Sequence, residues 1–123
     1  MSTRYINMFR AKAAYDGQWM FGDILHGTHI KHPRGTTTII PDTVGMYAEM
    51  IDKHGTRVFE HDILRYTTMG TPIIGEVRRD RGSFWLYRDN GNKYLLFSLI
   101  GGGEVEVIGN IFDDPQLIGE ANI

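Results

Sequence analysis

Short runs of β-branched and aromatic residues alternate with glycine-containing polar segments along most of the chain. The run Thr36–Ile40 is β-branched throughout and ends at Pro41, and Glu104–Val107 alternates strictly between acidic and apolar residues. β-Branched side chains suit a pleated strand better than a helix, and a period of two places alternate residues on opposite faces of a strand. The pattern therefore predicts a mainly β fold.

Turn sequences separate the predicted strands. Asp52–Gly55, Asp80–Gly82 and Asp89–Asn92 each combine Asp or Asn with Gly, the residues that start tight turns and tolerate a positive φ. The runs around these turns are Val44–Ile51, Arg57–Phe59, Asp62–Tyr66, Ile73–Val77, Phe84–Tyr87 and Tyr94–Leu99. We therefore expect barrel-like antiparallel sheets built from hairpins.

Helical signals are weak. Thr43–Lys53 is the only segment that competes as a helix, and Gly45 within it disfavours that assignment. Near the C-terminus, Asp114 followed by Pro115 has the residue order of an N-cap and a first helical position. We expect a short C-terminal helical turn there.

Composition places the chain among ordinary globular domains. It has 123 residues, 41% hydrophobic and 23% charged, which predicts one domain over 1–123. There are no cysteines, which excludes disulfides and thiolate chemistry. Met1–Tyr5 lacks the apolar run of a signal peptide, and Tyr94–Ile100 is too short to span a bilayer. We expect a cytoplasmic protein without a membrane partner.

Catalytic motifs are missing from the sequence, which contains no Walker A loop, HExxH or GxSxG. Glu60, His61 and Asp62 put two carboxylates beside an imidazole, as acid–base catalysis would need. In an extended segment, however, His61 points away from the other two, and an Asp at a strand start commonly caps a turn. We expect no catalytic residues, no cofactor and no enzyme activity.

His26, His29 and His32 recur every third residue and could suggest a zinc site. Residues three apart on a strand point to opposite faces, and Gly27 and Pro33 oppose a helix that would gather them. We interpret this histidine run as a polar connection and expect no metal.

A formal net charge of −2 argues against a non-specific polyanion binder but permits a local basic patch. Arginines around the predicted 80–82 turn could contact phosphates while an aromatic side chain stacks on a base. The candidate nucleic-acid contacts are Arg78, Arg79, Arg81, Trp85 and Arg88. We favour a solvated turn over nucleic-acid contact, because Asp80 and Asp89 dilute the charge.

Ordered motifs over residues of about 9–118 resemble the YopX family of small proteins encoded largely by phages and prophages of bacteria. The matching segments are Phe9–Lys12, Gly17–Leu25, Ile40–Tyr47, Asp52–Gly55, Val58–Leu64 and Glu106–Leu117. The sequence departs from the family pattern at Met46, where glutamine is usual, at Ala48–Met50, where a Thr-Gly-Leu run is usual, and at His61, where glycine is usual.

The resemblance implies a β-rich, barrel-like fold, a phage or prophage origin, and self-association without a recognised catalytic centre. The chain also has more large apolar side chains than a small barrel interior needs, with six Met, six Phe, six Tyr and two Trp. Exposed apolar patches usually mark contact surfaces. We therefore expect a homo-oligomeric interaction module, with a phage or host protein as a further partner. The alternative is a nucleic-acid-associated accessory protein that uses the arginine-rich hairpin.

Overall fold

A computed structural model of the chain describes residues 8–120. Met1–Tyr5, in which no signal peptide was predicted, lies outside the described residues. The described residues form eleven strands and one short α-helix. The strands are β1 Phe9–Lys12, β2 Trp19–Leu25, β3 His29–His32, β4 Gly35–Thr38, β5 Gly45–Ile51, β6 Arg57–Phe59, β7 Asp62–Thr67, β8 Ile73–Asp80, β9 Ser83–Tyr87, β10 Lys93–Leu95 and β11 Glu104–Asn110. The helix is α1 Gln116–Glu120.

The strands form two sheets, in the orders β4-β3-β2-β1-β5-β6 and β10-β9-β8-β7-β11. Their described pairings are antiparallel, which confirms the predicted mainly β fold built from hairpins. Each sheet ends in two edge strands, so neither closes on itself and "barrel-like" holds only loosely. No helix within residues 8–120 is long and apolar enough to cross a membrane.

The chain divides into two compact units at the bond between Tyr47 and Ala48. The first unit packs around the fully or nearly fully buried Ala11, Ile30 and Ile39. Gly22, on β2, lies against the backbone of Lys31 on β3, so two neighbouring strands approach closely at this point. The prediction of one domain stays a prediction, because packing inside each unit does not test it.

The second unit has the larger core. The members of its core cluster lie on the inner faces of the strands, since the period of two sends every other side chain inward. They include the completely buried Val58, Leu64, Val77 and Leu86, with Met50, Tyr66, Leu96, Leu99 and Val105 closing the cluster. Val105 is buried while Glu104 is exposed, which confirms the alternation read from this strand.

Of two segments whose structure was predicted from the sequence, one prediction is confirmed and the other is wrong. Thr43–Lys53, the helix candidate, contains strand β5, as the glycine at position 45 suggested. Tyr94–Leu99 was expected to be one strand, and this was wrong: β10 ends at Leu95 and a 3-10 turn covers Leu96–Leu99. In that turn the buried Leu96 and Leu99 are three residues apart, the spacing that brings side chains of a 3-10 turn to one side.

The predicted C-terminal helical turn is present as α1. The Asp114 carbonyl accepts the N–H of Leu117 at 3.0 Å, while the Asp114 side chain accepts the N–H of Asn110 at 3.2 Å. Asn110 Oδ1 in turn accepts the N–H groups of Phe112 and Asp113, both at 3.0 Å. These bonds turn the chain sharply after β11.

Candidate functional site

The β8–β9 hairpin brings part of the predicted nucleic-acid contact set together. The register places Arg78 opposite Trp85 and Glu76 opposite Tyr87, so these side chains share one face of the sheet. Strand β10 adds Lys93 opposite Tyr87 on the same face. We call Arg78, Trp85, Tyr87 and Lys93 the cation–aromatic face.

On this face the cations lie directly over the rings. Arg78 Cζ is 4.6 Å from the centroid of the Tyr87 ring, and Lys93 Nζ is 4.6 Å from that of Trp85. Lys93 Nζ is also 5.7 Å from the Tyr87 centroid. These distances are within the range of cation–π attraction, which orders the long side chains without removing their charges.

The other predicted arginines lie elsewhere. Arg79 is opposite Phe84, whose ring packs against the core, so Arg79 and Phe84 share the opposite face from Arg78 and Trp85. Arg81 is exposed in the turn, with a φ of 54°. Arg88 follows β9 and lines a cleft of ≈340 Å³ together with Arg78 and Tyr87. The structure thus brings three of the five candidates together, namely Arg78, Trp85 and Arg88.

Acidic side chains border the same face. Glu76 Oε1 is 3.0 Å from Arg78 Nε, and Glu76 Oε2 is 3.6 Å from His61 Nδ1. Burial by itself raises the pKa of Glu76, but the His61 and Arg78 contacts outweigh burial and hold its pKa below the usual value. Asp80 Oδ2 is 3.9 Å from Lys93 Nζ, an exposed pair that contributes little to stability.

A second surface of the second unit is apolar. Phe97 is 78% exposed, Ile51 58%, Ile100 53% and Leu95 38%; we call these four residues the apolar patch. They border two clefts of ≈410 and ≈330 Å³ that share Glu49, Met50 and Ile100. Glu49 has a φ of 56°, an uncommon conformation for a residue with a side chain. Such strain often occurs where a surface binds something.

The histidine run does not converge. His26 lies in the β2–β3 turn, and His29 and His32 lie at the two ends of β3. Both ring nitrogens of His29 are near threonine hydroxyls, 2.8 Å from Thr28 and 3.2 Å from Thr38. Within residues 8–120, no group of three or more His, Cys, Asp or Glu side chains is arranged to hold a metal ion.

The Glu60-His61-Asp62 segment forms a turn between β6 and β7. Asp62 is 1% exposed, and its Oδ2 accepts the N–H of Phe59 at 2.8 Å, which is the turn-capping role expected from the sequence. His61 has a φ of 79°, and its ring meets Phe112 edge-on at a centroid distance of 5.3 Å. A positive φ explains why glycine suits this position.

Replacing His61 separates backbone strain from side-chain contacts. His61→Ala and His61→Gly both remove the contacts to Glu76 and Phe112, but only glycine relieves the positive φ. We expect the glycine variant to be more stable than the alanine variant by about 1 kcal/mol. Urea denaturation measures the difference; the same pair of substitutions at the exposed strand residue Thr67 should favour alanine instead. An equal or greater stability of His61→Ala would contradict this explanation.

Two antiparallel sheets of short hairpin strands, with a cation–aromatic face and an apolar patch, define a mainly β protein with two prominent surfaces. The model of the YopX protein family matches residues 15–119, and the chain belongs to that family. No curated protein matches the chain.

Proposed function

We propose that the chain is a non-enzymatic interaction module that associates with copies of itself. Its origin in this proposal is a phage or prophage, and its place of action is the cytoplasm of the bacterial host cell. The family resemblance supports the origin, and the lack of a recognisable catalytic motif in the sequence supports the non-enzymatic role. A phage or host protein is a further partner in this proposal.

The apolar patch is the observation that carries self-association. Three of its four side chains are more than half exposed, although the second unit has a well-filled core beneath them. Contiguous exposed apolar surface rimmed by polar residues is typical of protein contact sites. The clefts beside Phe97 and Ile100 provide concave surface into which apolar side chains of a second copy fit.

Charges at the same clefts suit a two-fold arrangement. The ≈410 Å³ cleft is lined by one cation, Lys53, and by three carboxylates, Glu49, Asp52 and Glu104. In an isologous contact, a group on one copy can face a different group on the other copy, and the reverse pair forms at the same time. A two-fold contact can therefore place Lys53 of each copy against a carboxylate of the other. Closure into a small oligomer also protects exposed apolar surface from open-ended aggregation.

Light scattering coupled to size exclusion tests the proposal. We expect the wild-type chain to elute as one species whose mass is a discrete multiple of 14.0 kDa. Phe97→Asp should shift the mass toward the single chain, because a carboxylate at the centre of an apolar contact is desolvated without a partner. Its side chain is 78% exposed, so the substitution should leave the folded monomer intact.

Met69→Asp is the matched control. Met69 is fully exposed and apolar, but it lies in the β7–β8 loop outside the apolar patch. It should leave the oligomer mass unchanged. A wild-type chain that stays monomeric into the high micromolar range would refute self-association. An oligomer equally sensitive to both variants would show that the apolar patch is not the contact surface.

A further inference from the structure

The cation–aromatic face differs from the apolar patch because it combines two aromatic rings on one strand with cationic side chains. Trp85 and Tyr87 are two residues apart on β9, so their rings stand about 7 Å apart along one strand on the same side of the sheet. Both side chains are only half-buried. Leu86, which lies between them, points into the core and fixes the strand that carries the rings.

We propose that this face binds single-stranded nucleic acid: Lys93 and Arg78 move from the ring faces to phosphates, beside Arg88, and bases stack on Trp85 and Tyr87 in their place. Aromatic side chains on a sheet are a common stacking platform for unpaired bases, and each stacked base contributes substantially to affinity. This binding uses residues other than those of the apolar patch, although Leu95 of the patch lies opposite Trp85 and the two surfaces adjoin there.

The phosphate contacts follow from the charges that surround the rings. Around the rings lie three cations, Arg78, Arg88 and Lys93, and three carboxylates, Glu76, Asp80 and Asp89. Lys93 is held by Asp80 only through an exposed 3.9 Å pair, so a phosphate can replace that carboxylate at little cost. Arg78 donates to Glu76 through Nε, which uses one of the five N–H donors of its guanidinium group.

The ≈340 Å³ cleft extends this platform at one end. Arg78, Tyr87 and Arg88 line it, together with Ile118 of the helix α1. A ring at the edge of a cleft, with two guanidinium groups on its walls, offers a base one stacking surface and its phosphate two bidentate donors. Asp89, which also lines the cleft, repels phosphate and so limits the affinity.

Single strands suit this face better than the other polyanions. A duplex keeps its base faces stacked inside, so Trp85 and Tyr87 would gain nothing from it. An acidic polypeptide offers carboxylates to the cations but no flat rings to the aromatic side chains. The formal net charge of −2 for the whole chain also disfavours binding driven by charge alone.

Fluorescence anisotropy with a labelled twelve-nucleotide oligothymidylate, titrated with the full-length chain, tests the proposal. We expect saturable binding whose affinity falls with salt, with a log–log slope of about −2 for three phosphate contacts to a single strand. Lys93→Gln and Arg88→Gln should each reduce the magnitude of that slope by about 0.7. Trp85→Ala should weaken binding about tenfold at constant salt.

The chain supplies matched controls on the same hairpin. Arg79→Gln and Arg81→Gln remove the same charge from the opposite face and from the turn, and should leave affinity and slope nearly unchanged. If Trp85→Ala fails to fold, the variants at the exposed Lys93 and the half-buried Arg88 still decide the question. Intrinsic fluorescence of a Trp19→Phe chain, in which Trp85 is the remaining tryptophan, should be quenched by the unlabelled oligonucleotide.

Several outcomes would overturn the proposal. These are no binding at low salt, equal losses from all four arginine and lysine variants, a duplex that binds as tightly as the single strand, or unchanged Trp85 fluorescence at saturation. Displacement of the oligonucleotide by an equal charge concentration of polyglutamate would replace it with an acidic-protein contact.

Discussion

Gly22→Ala is expected to destabilise the first unit by about 3 kcal/mol or more. Gly22 is buried on β2, and a Cβ built on it overlaps the carbonyl oxygen of Lys31 on the neighbouring strand β3. The obstacle is backbone, which cannot rotate away as a side-chain end would. The two strands must separate or the β2–β3 register must change.

Substitutions at two other glycines separate the effect of the steric clash from that of backbone strain. Gly70 has open space around its Cβ position and no positive φ, so Gly70→Ala should be neutral or slightly stabilising. Gly27 also has open space but a φ of 72°, so Gly27→Ala should cost about 1 kcal/mol from backbone strain alone. Urea denaturation followed through Trp19, in the same unit as Gly22, measures the series. A Gly22→Ala loss no larger than that of Gly27→Ala would show that the strands are not in close contact.

The sequence predicted strands well because their signals are local. β-Branched runs, alternation at Glu104–Val107 and Asp-Gly or Asn-Gly turns each act over a few residues, and β7, β8, β9 and β11 lie where those signals placed them. The 3-10 turn at Leu96–Leu99 was missed because an unbroken apolar run has no period that separates a strand from a turn. The burial of both Leu96 and Leu99 depends on packing against the core, which a local sequence pattern does not contain.

The candidate site depended on register, which local patterns do not contain. The opposite orientations of Arg78 and Arg79 could have been read from the strand period, because consecutive residues point to opposite faces. The position of Lys93 over Trp85 could not, since it depends on how the five residues after β9 return the chain to pair as β10. The positive φ of Glu49 gives no sequence signal either, since Glu rarely adopts that conformation.

Asp52 illustrates how a turn residue can also join strands. Asp52 is only 7% exposed, and its Oδ1 accepts the N–H groups of His54 and Thr56, both at 2.8 Å. Oδ2 accepts the N–H of Val107 on β11 at 2.9 Å. One carboxylate therefore closes the β5–β6 turn and fastens it to a strand more than fifty residues away in sequence.

These bonds also set the charge state of Asp52. Burial by itself raises its pKa, but the N–H groups of Val107, Thr56 and His54 donate to the ionised form and together lower the pKa below the usual value. A carboxyl group whose pKa is lower in the folded chain stabilises the fold above its unfolded pKa, about 3.9. That stabilisation is lost as the pH falls through the folded pKa.

Asp52→Asn is accordingly expected to cost about 3 kcal/mol at pH 7. The amide can still accept from one side, but its NH₂ group would face either the Val107 N–H or those of His54 and Thr56, donor against donor. Urea denaturation at pH 7 and at pH 3 to 4 measures the loss. The difference from wild type should shrink at the lower pH, because the unfolded wild-type chain takes up a proton at Asp52 as the pH falls below its unfolded pKa, about 3.9.

Asp16→Asn is the control for the same chemical change at an exposed turn, where Asp16 Oδ1 accepts the N–H of Gln18 at 3.0 Å. It should cost less than about 1 kcal/mol, since water replaces the lost bond. Glu76, whose pKa is also lowered, adds to the acid sensitivity of both chains and cancels in the comparison. An Asp52→Asn loss that stays constant from pH 7 to pH 3 would mean that the shape of the side chain, and not its charge, holds the turn to β11.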